Sequence, residues 1–114
     1  MTDNGVASMI RQAIGGNASA ISWVMAHADT IEDAVVIAMA ALLERHASRL
    51  DRARAVAATS RDRQVVAIAR AHLEGQGELV DALARDHLVD YPDSLIVAWI
   101  ASDTVVRARG TDLP

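Results

Sequence analysis

Residues 74–94 read EGQGELVDALARDHLVDYPDS. The stretch opens on Gly75-Gln76-Gly77, where two glycines give the backbone the freedom that a reversal needs. It closes on Tyr91-Pro92, where Pro lacks an N–H donor and pushes the residue before it out of the helical region. Between these breaks, Glu78 to Asp90 carry Leu79, Val80, Leu83, Ala84 and Leu88 at helical spacing, the face expected to point inward. Upstream, RDRQVVAIARAHLEG (61–75) places Val65, Val66, Ala69 and Leu73 on one face and Gly75 where a left-handed residue favours the end of a helix. Helix, glycine turn and helix make an antiparallel hairpin. Beyond Pro92, Asp93 or Ser94 can cap a last helix, LIVAWIASDTVVRARG (95–110).

Working toward the N-terminus, Thr59 and Ser60 interrupt the chain. SRLDRARAVAA (48–58) sets Arg49, Asp51, Arg52 and Arg54 around a thin seam of Leu50, Ala53 and Ala57, so a surface helix is expected. TIEDAVVIAMAALLERH (30–46) offers Thr30 with Asp33 as an imperfect capping box. Its Ile31, Val35, Ala38, Met39 and Leu42 recur at helical spacing, and Val36 and Leu43 widen the stripe until little polar face is left. That predicts a central helix. Gly15 and Gly16 separate a short helix over 6–14 from another over 18–27, with Asn17 as its cap. No segment alternates with period two for long, so no strand is predicted.

The composition agrees with helix on helix. A chain of 114 residues suits one domain, 1–114. Hydrophobic residues make up 52% but aromatics only 3%, with no Phe, so Ala, Val, Ile, Leu and Met must build the core. Ala-rich surfaces let helices approach closely. The expected fold class is all-α, a short solenoid or bundle of five to six helices in antiparallel hairpins. A net charge of −4 provides no field to gather phosphates, which argues against nucleic acid as a partner. All eleven basic residues are Arg, so Schiff-base chemistry and a phosphate-cradling lysine are excluded. The absence of Cys excludes thiolate nucleophiles, zinc-thiolate sites and disulfides. The start, MTDNGVASMIRQ, shows no secretory signal, so a cytoplasmic location is expected. The longest apolar run, SLIVAWIAS (94–102), is half of the ~18 residues of a membrane span, so no membrane partner is expected.

The segment ARAHLEGQGELVDALARDHLVDYPDSLIVAW (69–99) resembles the tetratricopeptide repeat, a helix-turn-helix unit of about 34 residues that stacks into a superhelix. With Pro92 at the repeat's proline, one repeat covers 61–94, Gly75 falls at the inter-helix turn and Leu88 at a usual apolar position. The sequence departs from the pattern at Gln64, where the family favours Trp; at Ile68, where it favours a small residue; at His87, where it has Ala; and at Trp99, one residue late. A looser copy covers 27–60, with Ala34 and Ala53 at small positions and no Pro to close it. A half repeat covers 95–109, with Ser102 at the small position. The resemblance implies protein binding in a groove lined by the inner helices. Its positions would be Ile31, Val35 and Met39; Asp62, Val65, Ala69 and His72; and Ile96, Trp99 and Asp103. An apolar groove of this kind suits a peptide or helix.

Residues that could carry chemistry are few. His27, His46, His72 and His87 lack the Glu-x-x-His spacing of bundle metal sites, so neither metal nor cofactor is expected. His87 between Asp86 and Asp90 could serve acid–base chemistry, but such pairs arise freely on charged helices. The arginines at 45, 49, 52, 54, 61 and 63 are interleaved with Glu44, Asp51 and Asp62, which describes a solvated face. Trp23 and Trp99 are first of all large pieces of core. The expected function is therefore a non-catalytic interaction module that binds a partner helix or peptide or self-associates. Met39, Val65, His72, Ile96, Trp99 and Asp103 would bind the partner. The last helix is apolar all round, through Val105 and Val106, which predicts a homodimer through Leu95, Val97 and Ile100. The alternative is a small bundle enclosing an apolar small molecule, with His72 or His87 acting on it. In a compact monomer, the helices before residue 27 would instead fold back over the last helix.

Overall fold

Gly75 has φ +75° and turns the chain between two helices, Ser60–Leu73 and Gly77–Asp90. This hairpin belongs to an all-α architecture, seen in a computed structural model that describes the backbone of residues 2–112 and the side chains of residues 5–103. Seven α-helices and no strand occur among the described residues: α1 (Thr2–Ile14), α2 (Ala18–His27), α3 (Ala34–Glu44), α4 (Leu50–Val56), α5 (Ser60–Leu73), α6 (Gly77–Asp90) and α7 (Leu95–Asp112). Each falls on a segment whose sequence predicts a helix, and together they are one more than the five to six of the expected fold class. A 3₁₀ turn, Ala47–Arg49, leads into α4.

Local chemistry sets most boundaries. Asn17 caps α2 by accepting from the Ala20 N–H at 2.9 Å, and Thr59 caps α5 by accepting from the Asp62 N–H at 3.1 Å. The start of α3 differs from the capping box expected at Thr30. Asp33 is itself the cap, its Oδ1 accepting from Val35 and Val36 N–H at 2.9 and 3.1 Å, so the helix begins at Ala34. A carboxylate close to two unpaired donors stabilises a helix start more than a hydroxyl three residues earlier.

α3 is buried all round: Ala34 and every residue from Val36 to Leu42 lie in the core. Each fully buried Val, Ile, Leu or Met adds about 1.5–3 kcal/mol, and α1, α2, α4 and α5 pack against this helix. α3, α5 and α7 follow one another in a row, with α4 packed on α3 and α5, and α6 on α5 and α7. α1 pairs with α2 and reaches across to α7 and α3. Leu50 and Ala53 of the Arg-rich α4 are fully buried, Arg52 is half-buried and Arg54 is exposed.

The inward face of α6 is rotated from the expected one. Val80, Ala84 and His87 form its buried line, Leu83 and Leu88 are half-buried, and Leu79 is 45% exposed. Rotation puts an imidazole in the core in place of a leucine, which requires that its polar atoms be satisfied there.

Candidate functional site

Two side-chain clusters bring polar groups from different helices together. The first surrounds His87, which is 1% exposed. Gln64 Oε1 accepts from His87 Nδ1 at 2.7 Å, so Nε2 is left to accept from the Ser94 hydroxyl at 2.9 Å. Burial lowers the pKa of the ring, and the Arg61 charge lowers it further against the opposing pull of Asp90 and Asp93. Arg61 lies 5.1 Å from the Tyr91 ring centroid and pairs with Asp93 at 3.4 Å. A hydroxyl, an imidazole and an orienting oxygen in line are the connectivity of a nucleophile with its base. Here, however, Ser94 is only 4% exposed. The cluster instead ties α5, α6 and the Pro92 corner together. Gln64 and His87, two of the positions at which the sequence departs from the repeat pattern, are each other's partners.

The second cluster is open to solvent. It forms where α3 and α5 end against the first half of α7. α3 supplies Leu42 and the residue that follows it, Arg45; the last turn of α5 supplies His72 and Leu73; Trp99, Ile100 and Asp103 come from successive turns of α7. His72 Nε2 and Asp103 Oδ2 are 3.0 Å apart. The cleft between these residues has a volume of about 50 Å³. It is lined by the apolar Leu42, Leu73, Trp99 and Ile100 and by the polar Arg45, His72 and Asp103, of which Arg45 is exposed.

The chain matches no protein-family model, no curated protein and no solved structure.

Of the residues expected to bind a partner, His72, Trp99 and Asp103 meet in the cleft. Met39 (0%), Val65 (1%) and Ile96 (4%) are core residues, as is Ala69, so the middle of the expected groove is filled by the chain itself. Ile31, Val35 and Asp62 are half-buried and lie outside the cleft. Of the three residues expected at a homodimer face, Val97 (0%) and Ile100 (1%) are buried inside the chain and Leu95 is 47% exposed. α1 packs on α7 and supplies part of the cover, the fold-back arrangement in which the last helix needs no second copy to bury these two side chains. Val105 and Val106 lie outside the described side chains. Among the described residues no group of His, Asp and Glu could hold a metal ion, and no helix is long and apolar enough to cross a membrane.

The arginine face is mostly engaged within the chain. Arg49 pairs with Glu44 and with Asp29 at 2.5 Å, and both contacts raise its pKa, Glu44 the more. Arg52 donates to the Ala28 and Ile31 carbonyls at 2.6 and 2.5 Å, and Arg70 to Asp51 at 2.8 Å. Arg45 differs from these in lining the cleft. Its place there had no signal in the sequence, because the charge pattern around it describes an ordinary solvated face.

Proposed function

We propose that the chain is a non-catalytic interaction module that docks a partner polypeptide at the cleft between α3, α5 and α7, in a cytoplasmic setting. The observation that carries this reading is the cleft's size and lining. About 50 Å³ lined by Trp99, Leu73 and Leu42 together with Arg45, His72 and Asp103 accepts the tip of one side chain. Small-molecule sites run to several hundred Å³ and enclose most of their ligand. That mismatch weighs against the alternative of a bundle enclosing an apolar metabolite, and the burial of Ser94 and His87 weighs against catalysis there. The row of α3, α5 and α7 with α4 and α6 on its flanks also supports the reading, since stacked helical hairpins use such a row to present side chains to partners.

Site-directed photocrosslinking in the native cell tests it. A photoreactive residue at Leu73, in the cleft lining, should capture one discrete protein, and the same residue at Val89, 76% exposed on α6, should not. Trp99→Ala in the Leu73 background should abolish the adduct while the helical circular dichroism persists. Equal capture at both positions, or none at Leu73, would refute the docking site.

A further inference from the structure

Three helices of this chain end in the same way. At the end of α1, Asn17 N–H donates to the Gln12 carbonyl at 2.9 Å and Gly16 N–H to that of Ala13 at 3.0 Å. At the end of α5, Gln76 N–H donates to Ala71 at 2.9 Å and Gly75 N–H to His72 at 3.1 Å. At the end of α3, His46 N–H donates to Ala41 at 3.1 Å and Arg45 N–H to Leu42 at 3.3 Å. This paired closure needs a left-handed residue at its hinge, and glycine is the usual occupant. Gly16 (φ +88°) and Gly75 (φ +75°) obey the rule. Arg45 (φ +57°) breaks it and is the only non-glycine residue with positive φ among those described. A β-carbon in that region crowds the following carbonyl oxygen and is strained. A local rule broken without local compensation points to a demand placed on the side chain.

That side chain lines the cleft, and the nearby carboxylates are otherwise engaged: Glu44 by Arg49, Asp103 by His72. Arg45 itself forms no ion pair among the described residues. The cleft lining therefore carries a guanidinium whose planar fork is matched to a carboxylate, together with apolar side chains around a space of about 50 Å³. Capture of a chain terminus uses free backbone N–H groups, and the N–H groups of Arg45 and His46 are already committed to the helix end. We infer that Arg45 is kept in its left-handed position for its guanidinium, and that the cleft takes a glutamate side chain of a partner polypeptide, the carboxylate on Arg45 and its methylenes against Trp99 and Leu73. This rests on the docking reading above and adds the chemistry of the docked group.

The full chain is titrated with N-acetyl-leucyl-glutamyl amide, with its glutamine counterpart, and with N-acetyl-leucine as a stand-in for a chain terminus, each to about 20 mM, where weak single-group contacts are measurable. The indole N–H signals of Trp99 and Trp23 are followed by NMR. The glutamyl peptide should shift Trp99 and leave Trp23 unmoved, and the glutamine peptide and N-acetyl-leucine should each bind at least about tenfold more weakly. Arg45→Gly should lose the glutamate preference and at the same time raise the melting temperature by about 4 °C, because glycine relieves the backbone. A gain in stability coupled to a loss of binding is the signature of a residue held for function. The inference is overturned if Trp99 does not respond, if glutamyl and glutaminyl peptides bind alike, if N-acetyl-leucine binds as well as the glutamyl peptide, or if Arg45→Gly keeps the preference or melts lower. Should photocrosslinking at Leu73 succeed while any of these occurs, docking at the cleft stands and the carboxylate chemistry falls.

Discussion

Replacing His87 by Ala removes a fully buried ring that bonds Gln64 at 2.7 Å and Ser94 at 2.9 Å. Each bond contributes about 1 kcal/mol net. The half-buried Gln64 can turn to water, so its lost bond leaves little further penalty; Ser94 is buried and its hydroxyl is stranded. Emptying the space of the ring adds about 1–2 kcal/mol, below the Leu→Ala range because an imidazole is less apolar. The total is about 3–4 kcal/mol. For 114 residues the entropy of unfolding makes 1 kcal/mol equal to about 4 °C, which predicts a fall of about 12–16 °C in melting temperature. Urea titration followed by far-UV circular dichroism at pH 7.5 measures the loss directly. The same variant should flatten the acid dependence. Burial and Arg61 make the folded chain hold the His87 proton less tightly than the unfolded chain, whose value is near 6.5. Stability from this group is therefore full above 6.5, declines as pH falls below it, and is gone once pH passes the lower folded value, with a slope of at most about 1.4 kcal/mol per pH unit. The wild-type chain should lose stability more steeply as pH falls below 6.5 than His87→Ala does. A cost below 1 kcal/mol, or equal acid slopes in the two proteins, would refute the tie between α5, α6 and the Pro92 corner.

Gly75→Val should cost about 1 kcal/mol or more in the same urea assay, since φ +75° excludes a β-branched residue even though space beside the glycine is open; an unchanged midpoint would contradict the turn geometry. Arg52→Ala should cost about 2 kcal/mol, because one half-buried guanidinium serves the Ala28 and Ile31 carbonyls, and Arg52→Lys should recover less than half, a lysine lacking the fork. Dialysis against EDTA should leave the melting temperature unchanged; a stoichiometric transition metal retained by the protein would show that its histidines do bind one.

Helix identity was legible from short range. Gly15-Gly16, Asn17, Thr59, Gly75 and Pro92 act on their immediate neighbours, and the structure places helix ends at each. The burial of α3 was legible too, since AVVIAMAALL leaves no polar face to turn outward. At Thr30 the local reading failed by a few residues, because two capping groups compete there and geometry, not spacing, selects Asp33.

What the sequence by itself determined is thus the set of helices, their turns and the one helix that must be central, all consequences of backbone propensity and hydrophobic period within a few residues. Tertiary structure alone decided which side of each remaining helix is spent on the core. Rolling α6 so that His87 rather than Leu79 faces inward depends on Gln64, 23 residues away, offering its oxygen. Burying Val97 and Ile100 depends on α7 meeting neighbours along the chain, α1 among them. The cleft joins His72 to Asp103 across 31 positions and sets Arg45 beside them. Helical period tells which residues share a face, but the neighbour that covers the face is chosen by packing across the whole chain, where burial of one polar ring is favourable only once its partners have arrived.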